Sequence, residues 1–178
     1  MKTIIVSGTP ATGKTTLSKK LAKKLNYYYA DVNKLISKNK LYEGYDKKRK
    51  TKIVDTNKLN RFLINFIKKN TNSKKYNKKI ALKNTKKTNG IIIDSHLSHY
   101  LPKKYVDFCI VTKCNIKELS KRLKSKKFNR NKLQENLQAE IFDICYNEAL
   151  GKKHNIIVVD TTKGFNINGI IKKITAKR

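Results

Sequence analysis

A glycine-bounded segment near the amino terminus constrains this sequence more than any other feature. Residues 8–15 read Gly-Thr-Pro-Ala-Thr-Gly-Lys-Thr, which fits the pattern G-x-x-x-x-G-K-[S/T]. The apolar run at 3–7 is typical of a buried strand, and the apolar residues within 16–25 recur at helical spacing. A strand, a glycine-bounded turn and a helix in this order predict an α/β sheet whose first turn binds phosphate.

Each residue type in this segment has a role in holding a polyphosphate. Gly8 and Gly13 permit backbone angles and close approaches that a side chain would block, so the loop amides can point at phosphate oxygens. The Lys14 ammonium can reach the β- and γ-phosphates, and the Thr15 hydroxyl can ligate magnesium. The predicted ATP contacts here are those of Ala11, Gly13, Lys14, Thr15 and Thr16.

An acid at the end of a later apolar strand is the second candidate element. Asp94 follows the run 90–93, so its carboxylate can meet Mg²⁺ beside Thr15 at the same sheet edge. The alternative is an ordinary helix-capping aspartate. His96 lies two residues on and could orient a water or contact the phosphate acceptor, whereas a surface histidine is the plain alternative. We predict Lys14, Asp94 and His96 as catalytic residues and Thr15 and Asp94 as metal ligands.

The order of apolar segments predicts the fold class. Strands buried on both faces and alternating with helices indicate a three-layer α/β fold with about five parallel strands and helices on both faces. Ligands of such sheets bind at the carboxyl ends of the strands. We predict Asp31 or Asn33 as the cap of a helix at 32–36, and one continuous helix over 129–150. The predicted strands are 3–7, 27–30, 90–94, 107–112 and 155–160, with a small extended piece at 52–55.

Composition limits the class of protein. The 178 residues suffice for one domain, and no apolar run is long enough to span a membrane. Three cysteines without zinc spacing predict free thiols in a reducing compartment, hence a cytoplasmic protein or, in a eukaryote, a nuclear one. The net charge of +31 would attract nucleic acid or an acidic protein surface, although A/T-rich codons for Lys, Asn and Ile explain it equally well.

A basic insertion is predicted at residues 68–88. This stretch is rich in lysine and asparagine, has no acid, and offers few apolar side chains to a core. Such a composition predicts a mobile or partly helical surface segment. A solvated loop and an RNA-facing arm are both compatible with it.

Four segments together resemble the adenylate kinase isoenzyme 6 family, also called coilin-interacting nuclear ATPase proteins. They read Gly-Thr-Pro-Ala-Thr-Gly-Lys-Thr-Thr at 8–16, Leu-Tyr-Glu-Gly-Tyr-Asp at 41–46, Asp-Ser-His at 94–96, and Lys-Leu-Gln-Glu-Asn-Leu-Gln-Ala-Glu-Ile-Phe at 132–142. The resemblance implies one P-loop kinase domain over 1–178 with the nucleoside monophosphate kinase fold. It also implies phosphoryl transfer from ATP to AMP with Mg²⁺, ATP hydrolysis, and a role in late small ribosomal subunit maturation through transient binding of ribosomal protein uS11.

The same resemblance implies where the substrates bind. The matching monophosphate segment is about 31–54, and the matching lid is about 125–135. Lys126 and Arg122 are expected to close from the lid, and Lys163 to contact the base or ribose after the last strand. The residues expected at the monophosphate are Asp31, Asn33, Tyr42, Tyr45 and His96.

The sequence departs from the family pattern in three places. Lys126-Lys127 replaces the usual Arg-Gly of the lid, which keeps the charge but loses the bidentate fork of arginine. Ala11 stands where a glycine is frequent, a change that we expect to be tolerated, and the 68–88 insertion is unusual. Two alternatives to a monomeric adenylate kinase stay open: a ribosome-assembly ATPase with little kinase activity, and another small-metabolite kinase of the shikimate type.

Overall fold

The computed structural model describes residues 1–47, 49, 51–71 and 88–176, and that part of the chain contains both strands and helices. The strands are β1 (Lys2–Ser7), β2 (Tyr27–Asp31), β3 (Gly44–Asp46), β4 (Thr51–Ile53), β5 (Gly90–Asp94), β6 (Phe108–Lys113) and β7 (Ile156–Asp160). The helices are α1 (Lys14–Leu25), α2 (Val32–Lys38), α3 (Thr56–Thr71), α4 (Ile116–Ser125), α5 (Arg130–Ile141), α6 (Ile144–Gly151) and α7 (Ile167–Ala176).

Five parallel strands form the central sheet in the order β2-β5-β1-β6-β7, which confirms the predicted α/β class. β1 lies in the middle of the sheet. The strands that follow it, β2 and β5, lie on one side of it, and the later strands β6 and β7 lie on the other. The carboxyl end of β1 is therefore the switch point where such sheets bind ligands. The register pairs Val6 with Asp94 and Asp94 with Asp31. These three residues therefore lie level with one another near the carboxyl ends of their strands, next to the turn after β1.

Helices cover both faces of the sheet, because successive side chains of a strand point to opposite faces and both sets are apolar in the central strands. Ile4 and Val6 pack with α1 and α7 on one face, whereas Ile5 packs with α3 and α6 on the other. Burial on both sides explains why β1, β5 and β6 are continuous apolar runs. The fully buried aliphatic side chains that share these two cores include Leu17, Leu21, Leu59, Leu63, Ile91, Ile92, Ile93 and Ile110.

A small antiparallel hairpin, formed by β3 and β4, extends from the sheet within the 31–54 segment. The extended piece predicted near 52–55 is therefore a strand, and the segment 41–46, which reads as turn-rich, contributes its partner. Asp31 caps α2, since its carboxylate accepts a hydrogen bond from the Lys34 amide, as predicted.

The predicted helix over 129–150 is wrong as one element. It breaks between α5 and α6, where Asp143 takes a left-handed backbone with φ of 52°. Leu133 and Leu137 pack against α4, whereas Ile141 and Ile144 are exposed, so the residues on either side of the break do not share one buried face. Periodicity alone could not reveal a break that occurs without glycine or proline.

Most of the predicted basic insertion lies outside the described residues, which exclude 72–87; α3 includes 68–71 at its carboxyl end. Within the described ranges, no helix is long and apolar enough to cross a bilayer. Cys109, Cys114 and Cys145 are free thiols.

Burial of a histidine predicts how stability depends on pH. His154 is 7% exposed, its Nε2 lies 2.9 Å from the His99 carbonyl oxygen, and its Nδ1 has no hydrogen-bond partner in the part of the chain described here. Burial lowers the pKa of His154 from its ordinary 6.5, so at mildly acidic pH the unfolded chain is protonated at this residue more than the folded chain is. The contribution of neutral His154 to the free energy of unfolding is therefore fully present above about pH 6.5 and is lost as the pH falls below it.

We expect the melting temperature to fall by a few degrees between pH 7.5 and 5.5, and the His154→Gln variant to fall less. Thermal unfolding followed by circular dichroism at closely spaced pH values measures this slope. An equally steep slope in the variant would show that His154 does not carry the effect.

Candidate active site

The turn between β1 and α1 has the backbone of a phosphate-binding loop. Gly8 and Gly13 have φ of 135° and 86°, in the region that disfavours side chains. A Cβ on Gly8 would also lie 2.5 Å from the carbonyl oxygen of Thr112. Thr12 fastens the loop, since its hydroxyl lies 2.7 Å from the Thr9 carbonyl and 2.6 Å from the Thr112 hydroxyl. The loop is thus held in place from β6.

Lys14, the first residue of α1, lies over this loop. Its Nζ donates to the carbonyl oxygens of Gly8 and Thr9 at 2.7 and 2.8 Å. Burial lowers its pKa from 10.5 to about 8, and the Asp94 carboxylate is one of the nearby charges that oppose this fall. The ammonium therefore remains mostly protonated at neutral pH, where it can neutralise a phosphate.

Asp94 is the polar centre of the site. It is 6% exposed, and its Oδ2 accepts hydrogen bonds from the hydroxyls of Thr15 at 2.7 Å and Tyr29 at 2.9 Å. Burial and the bond to Asp94 raise the pKa of Tyr29, so the phenol stays a donor. The structure therefore brings together the two side chains predicted to hold Mg²⁺, Thr15 and Asp94.

The donor set around Asp94 consists of oxygens, which fit a hard cation such as Mg²⁺. Mg²⁺ prefers hard oxygen ligands, and it commonly binds through one or two protein oxygens together with phosphate and water. The Thr15 hydroxyl and the Asp94 carboxylate supply such oxygens. No group of three or more His, Cys, Asp or Glu side chains gathers as a metal site among the described residues. A metal here would therefore depend on a bound phosphate for its remaining ligands.

A single open cleft of about 1090 Å³ runs across the carboxyl edge of the sheet, with the phosphate loop at its floor. One end is lined by the loop, by α4 and by the turn after β7. The other end lies between the 31–54 segment, the turn after β5 and the helices α5 and α6. Residues at the first end include Thr16, Lys20, Arg122, Lys126, Thr161 and Phe165, and residues at the second include Asn33, Arg49, Leu97, Tyr100, Asn136 and Glu148.

His96 lies in this cleft between the loop and the second end. Desolvation by the surrounding protein is the main cause that lowers the pKa of His96 to about 4, and the Lys14 ammonium lowers it further. The side chain nevertheless remains in contact with solvent. A neutral imidazole at pH 7 can accept or donate a hydrogen bond without adding charge. His96 thus lies in the cleft, and its predicted role of orienting a water or contacting the acceptor stays a prediction.

The monophosphate residues predicted from the family resemblance divide into two groups. Asp31 and Asn33 line the cleft, whereas Tyr42 and Tyr45 do not. Tyr42 lies beneath the Lys52 ammonium, 4.5 Å from the ring centroid, and Tyr45 is 56% exposed on β3.

The residues predicted on the ATP side are likewise divided. Arg122 and Lys126 line the cleft, but Arg122 lies on α4, where its guanidinium donates to the carbonyls of Thr161 and Thr162 at 3.0 Å each. Arg122 thus fixes the turn after β7, and its closing from a lid stays a prediction. Lys163 is not in the lining, although Gly164 and Phe165 are.

Sequence reasoning missed a contact that joins the two sides of the cleft. Arg49, in the turn between β3 and β4, donates from Nη2 to Glu135 of α5 at 2.9 Å, and Lys132 donates to the Arg49 carbonyl at 3.1 Å. Glu135 belongs to the segment 132–142, whose Glu140 is buried and accepts from the Cys114 amide at 2.8 Å. The acids of this segment thus anchor α5 to the hairpin and to the end of β6. An isolated arginine in a lysine-rich stretch gave no signal of this.

The backbone at Ala11 generates a test of loop strain. Ala11 has φ of 70°, where an L-residue costs roughly 1–2 kcal/mol, whereas glycine costs roughly 0.5–1 kcal/mol in unfolded-chain entropy. We expect Ala11→Gly to raise the free energy of unfolding by about 0.5 kcal/mol. Urea denaturation measures it, with the helical Ala22→Gly as a control that should lose about 1 kcal/mol. Equal losses in both variants would show that Ala11 is unstrained.

Comparison with known proteins agrees with this geometry. The model of a family described as "AAA domain" matches residues 4–143. A protein of Methanocaldococcus jannaschii named "Putative adenylate kinase" is 32% identical over 98% of this chain and 87% of its own length. The "Adenylate kinase isoenzyme 6 homolog FAP7" of Saccharomyces cerevisiae is 30% identical over 88% of this chain and 71% of its own.

Solved structures show the same fold at low identity. Shikimate kinase from Acinetobacter baumannii superposes with a TM-score of 0.57 at 14% identity, covering all of this chain and 95% of that one. Deoxyadenosine kinase from M. mycoides gives 0.52 at 18% identity, with 98% and 99% coverage. The sequence relatives carry the assignment further than the fold does: the chain belongs to the adenylate kinase isoenzyme 6 family of P-loop kinases.

Proposed function

We propose that this protein is an adenylate kinase that transfers the γ-phosphoryl group of ATP to AMP, with Mg²⁺, to form two ADP, and that it also hydrolyses ATP. One observation carries the proposal: a single cleft extends from the phosphate loop to the end lined by the 31–54 segment, α5 and α6, and its lining includes the bonded pair Thr15–Asp94 and His96. A donor and an acceptor can therefore occupy the cleft together, with their phosphates meeting over the loop.

In the proposed reaction an oxygen of the AMP phosphate attacks the γ-phosphorus of ATP. That P–O bond forms while the bond to the β,γ-bridging oxygen breaks, and the charge moves onto the leaving ADP. Lys14 and the loop amides neutralise this charge, and neutral His96 orients the attacking phosphate or, in hydrolysis, a water. Mg²⁺, held by Thr15 and Asp94, would supply further neutralisation of the phosphate oxygens.

The second end of the cleft, which we call the acceptor end, has groups that suit a phosphorylated acceptor. Arg49 and Lys132 line it, and a guanidinium and an ammonium can both bind phosphate. Asn33 and Asn136 also line it and offer hydrogen-bonding groups to a base or ribose. A shikimate-type kinase shares the fold, but the names of the sequence relatives favour the nucleotide reaction.

The proposal predicts ADP formation that depends on Lys14. Purified protein given ATP, AMP and Mg²⁺ should form ADP, and Lys14→Ala should lower kcat at least about a hundredfold, because it removes a preorganised charge from the transition state. Removing Mg²⁺ with EDTA should abolish turnover. Coupled spectrophotometry measures the rate.

Lys23→Ala is the matched control, since Lys23 is an exposed lysine of the same helix outside the cleft lining. Its rate should equal that of the wild type. ADP formation that is equal in the wild type and in Lys14→Ala would end the kinase proposal, and phosphorylation of shikimate or another small metabolite in place of AMP would replace it.

We further propose that the protein acts in late small ribosomal subunit maturation, as a monomer that binds ribosomal protein uS11 and rRNA transiently. The support is the family resemblance together with the net charge of +31, which creates a field that attracts RNA or an acidic surface. The cytoplasm, or the nucleus in a eukaryote, is the proposed location. An assembly ATPase with little kinase activity is the second candidate function, favoured by the same charge.

This second candidate predicts binding that ATP turnover reverses. Immobilised protein should retain uS11 or small-subunit particles at physiological salt, and ATP with Mg²⁺ should release them from the wild type but not from Lys14→Ala. Release is followed by quantitative blotting and by rRNA hybridisation. Recovery of neither uS11 nor rRNA would contradict the proposal without affecting the kinase assay.

A further inference from the structure

Behind the phosphate loop, a chain of polar side chains crosses the buried part of the site. The Ser7 hydroxyl lies 2.6 Å from Nδ1 of His99, and Nε2 of His99 lies 2.8 Å from Oε2 of Glu148. Tyr100 donates to the other oxygen of Glu148 at 2.7 Å. Ser7 and His99 are 0% and 1% exposed, whereas the side chain of Glu148 is 36% exposed in the cleft.

Both ends of this chain adjoin functional parts of the site. Ser7 is the last residue of β1 and directly precedes Gly8, where the phosphate loop begins. Glu148 lies on α6 and lines the acceptor end of the cleft. His99 contacts both of them, and Cys145 of α6 interacts with the Ser7 hydroxyl as well.

The turn that carries His99 is fixed to the same strand. The Ser95 amide and the Ser98 hydroxyl both donate to the carbonyl oxygen of Val6, at 3.2 Å each. The Ser7 hydroxyl also lies 3.5 Å from the carbonyl oxygen of His96, so the 2.6 Å contact makes His99 its principal partner. The imidazole is therefore held against the end of β1, and its other nitrogen faces Glu148.

The carboxylate beside Nε2 favours one tautomer of His99, because an unprotonated nitrogen there would face an acceptor. If the Ser7 hydroxyl donates to Nδ1, the ring proton must lie on Nε2, facing Glu148. Nε2 lies 2.8 Å from Oε2 of Glu148, but the contact is poorly aligned for a hydrogen bond, and Nε2 has no hydrogen-bond partner among the residues described. Burial lowers the pKa of His99, and Glu148 opposes this change. The lowered pKa keeps the ring neutral at pH 7.

We propose that His99 is a positioning residue of the phosphoryl-transfer site: oriented by Glu148, it fixes the Ser7 hydroxyl and thereby the entrance of the phosphate loop. The proposal rests on the proposed kinase function for its kinetic consequence. The Glu148 carboxylate at the acceptor end of the cleft is thus linked to the phosphate loop through the His99 imidazole. Glu148 acts through His99 and does not itself touch the transferred phosphate.

A double-mutant cycle tests the link. We expect Ser7→Ala and Glu148→Gln each to lower kcat about tenfold, since a small displacement of a phosphate site costs a large factor in rate. The double variant should lose no more than about tenfold, because residues that act as a unit are not additive. Additive losses of about a hundredfold, or no loss in either single variant, would overturn the proposal.

Ser18→Ala is the matched control for the serine. Ser18 is also fully buried, lies on α1 just after the loop, and its hydroxyl has no hydrogen-bond partner in the described part of the chain. This variant should keep the wild-type kcat. Melting temperatures of all variants separate loss of fold from loss of rate, and the partly exposed Glu148 keeps one arm of the cycle free of a core substitution.

Histidine NMR tests the chain without turnover. The sequence has three histidines, so ¹⁵N-histidine spectra can be assigned by His96→Gln and His154→Gln variants. We expect His99 to be the Nε2–H tautomer in the wild type and to gain Nδ1–H character in Glu148→Gln. An Nδ1–H tautomer in the wild type overturns the proposal. An inactive wild type with the expected tautomer overturns only the proposed reaction.

Discussion

The hydrogen bond between the Thr15 hydroxyl and the Asp94 carboxylate is the interaction on which the site depends. It joins the first turn of α1 to the end of β5, two elements far apart in sequence, across 2.7 Å. The parallel register makes this possible, because Val6 and Asp94 lie side by side at the carboxyl edge. A sheet with another strand order would separate the loop from its acid.

The surroundings of this pair favour anions. Lys14 is buried over the loop, and the histidines of the site have lowered pKa values, so the cleft gains no further charge from them at neutral pH. The excess of lysine over acids acts in the same direction across the whole molecule. The hairpin and α5, joined by Arg49 and Glu135, form the wall opposite the loop. A phosphate that enters thus meets fixed cations and amides at the floor and an arginine at the wall.

Much of this could be predicted from the sequence because the signals are local. Burial on both faces makes the strands continuous apolar runs, which made the sheet and the position of Asp94 at a strand end predictable. Two glycines, a lysine and a threonine at fixed spacing indicate a phosphate-binding loop, which made Lys14 and Thr15 predictable. The break at Asp143 was not, since a left-handed aspartate carries no glycine signal. Arg49, Glu148 and the partner of Ser7 also escaped prediction, because tertiary packing alone brings them to the cleft. Tyr42, Tyr45 and Lys163 lie outside its lining, and their roles stay predictions.

A crystal structure of the protein with a non-hydrolysable ATP analogue, Mg²⁺ and AMP tests the central claim most directly. The account predicts the β-phosphate within the amides of residues 8–15, the metal beside Thr15 and Asp94, and the AMP phosphate between His96 and Arg49. Phosphates bound away from those amides, or a metal remote from Asp94, would contradict it.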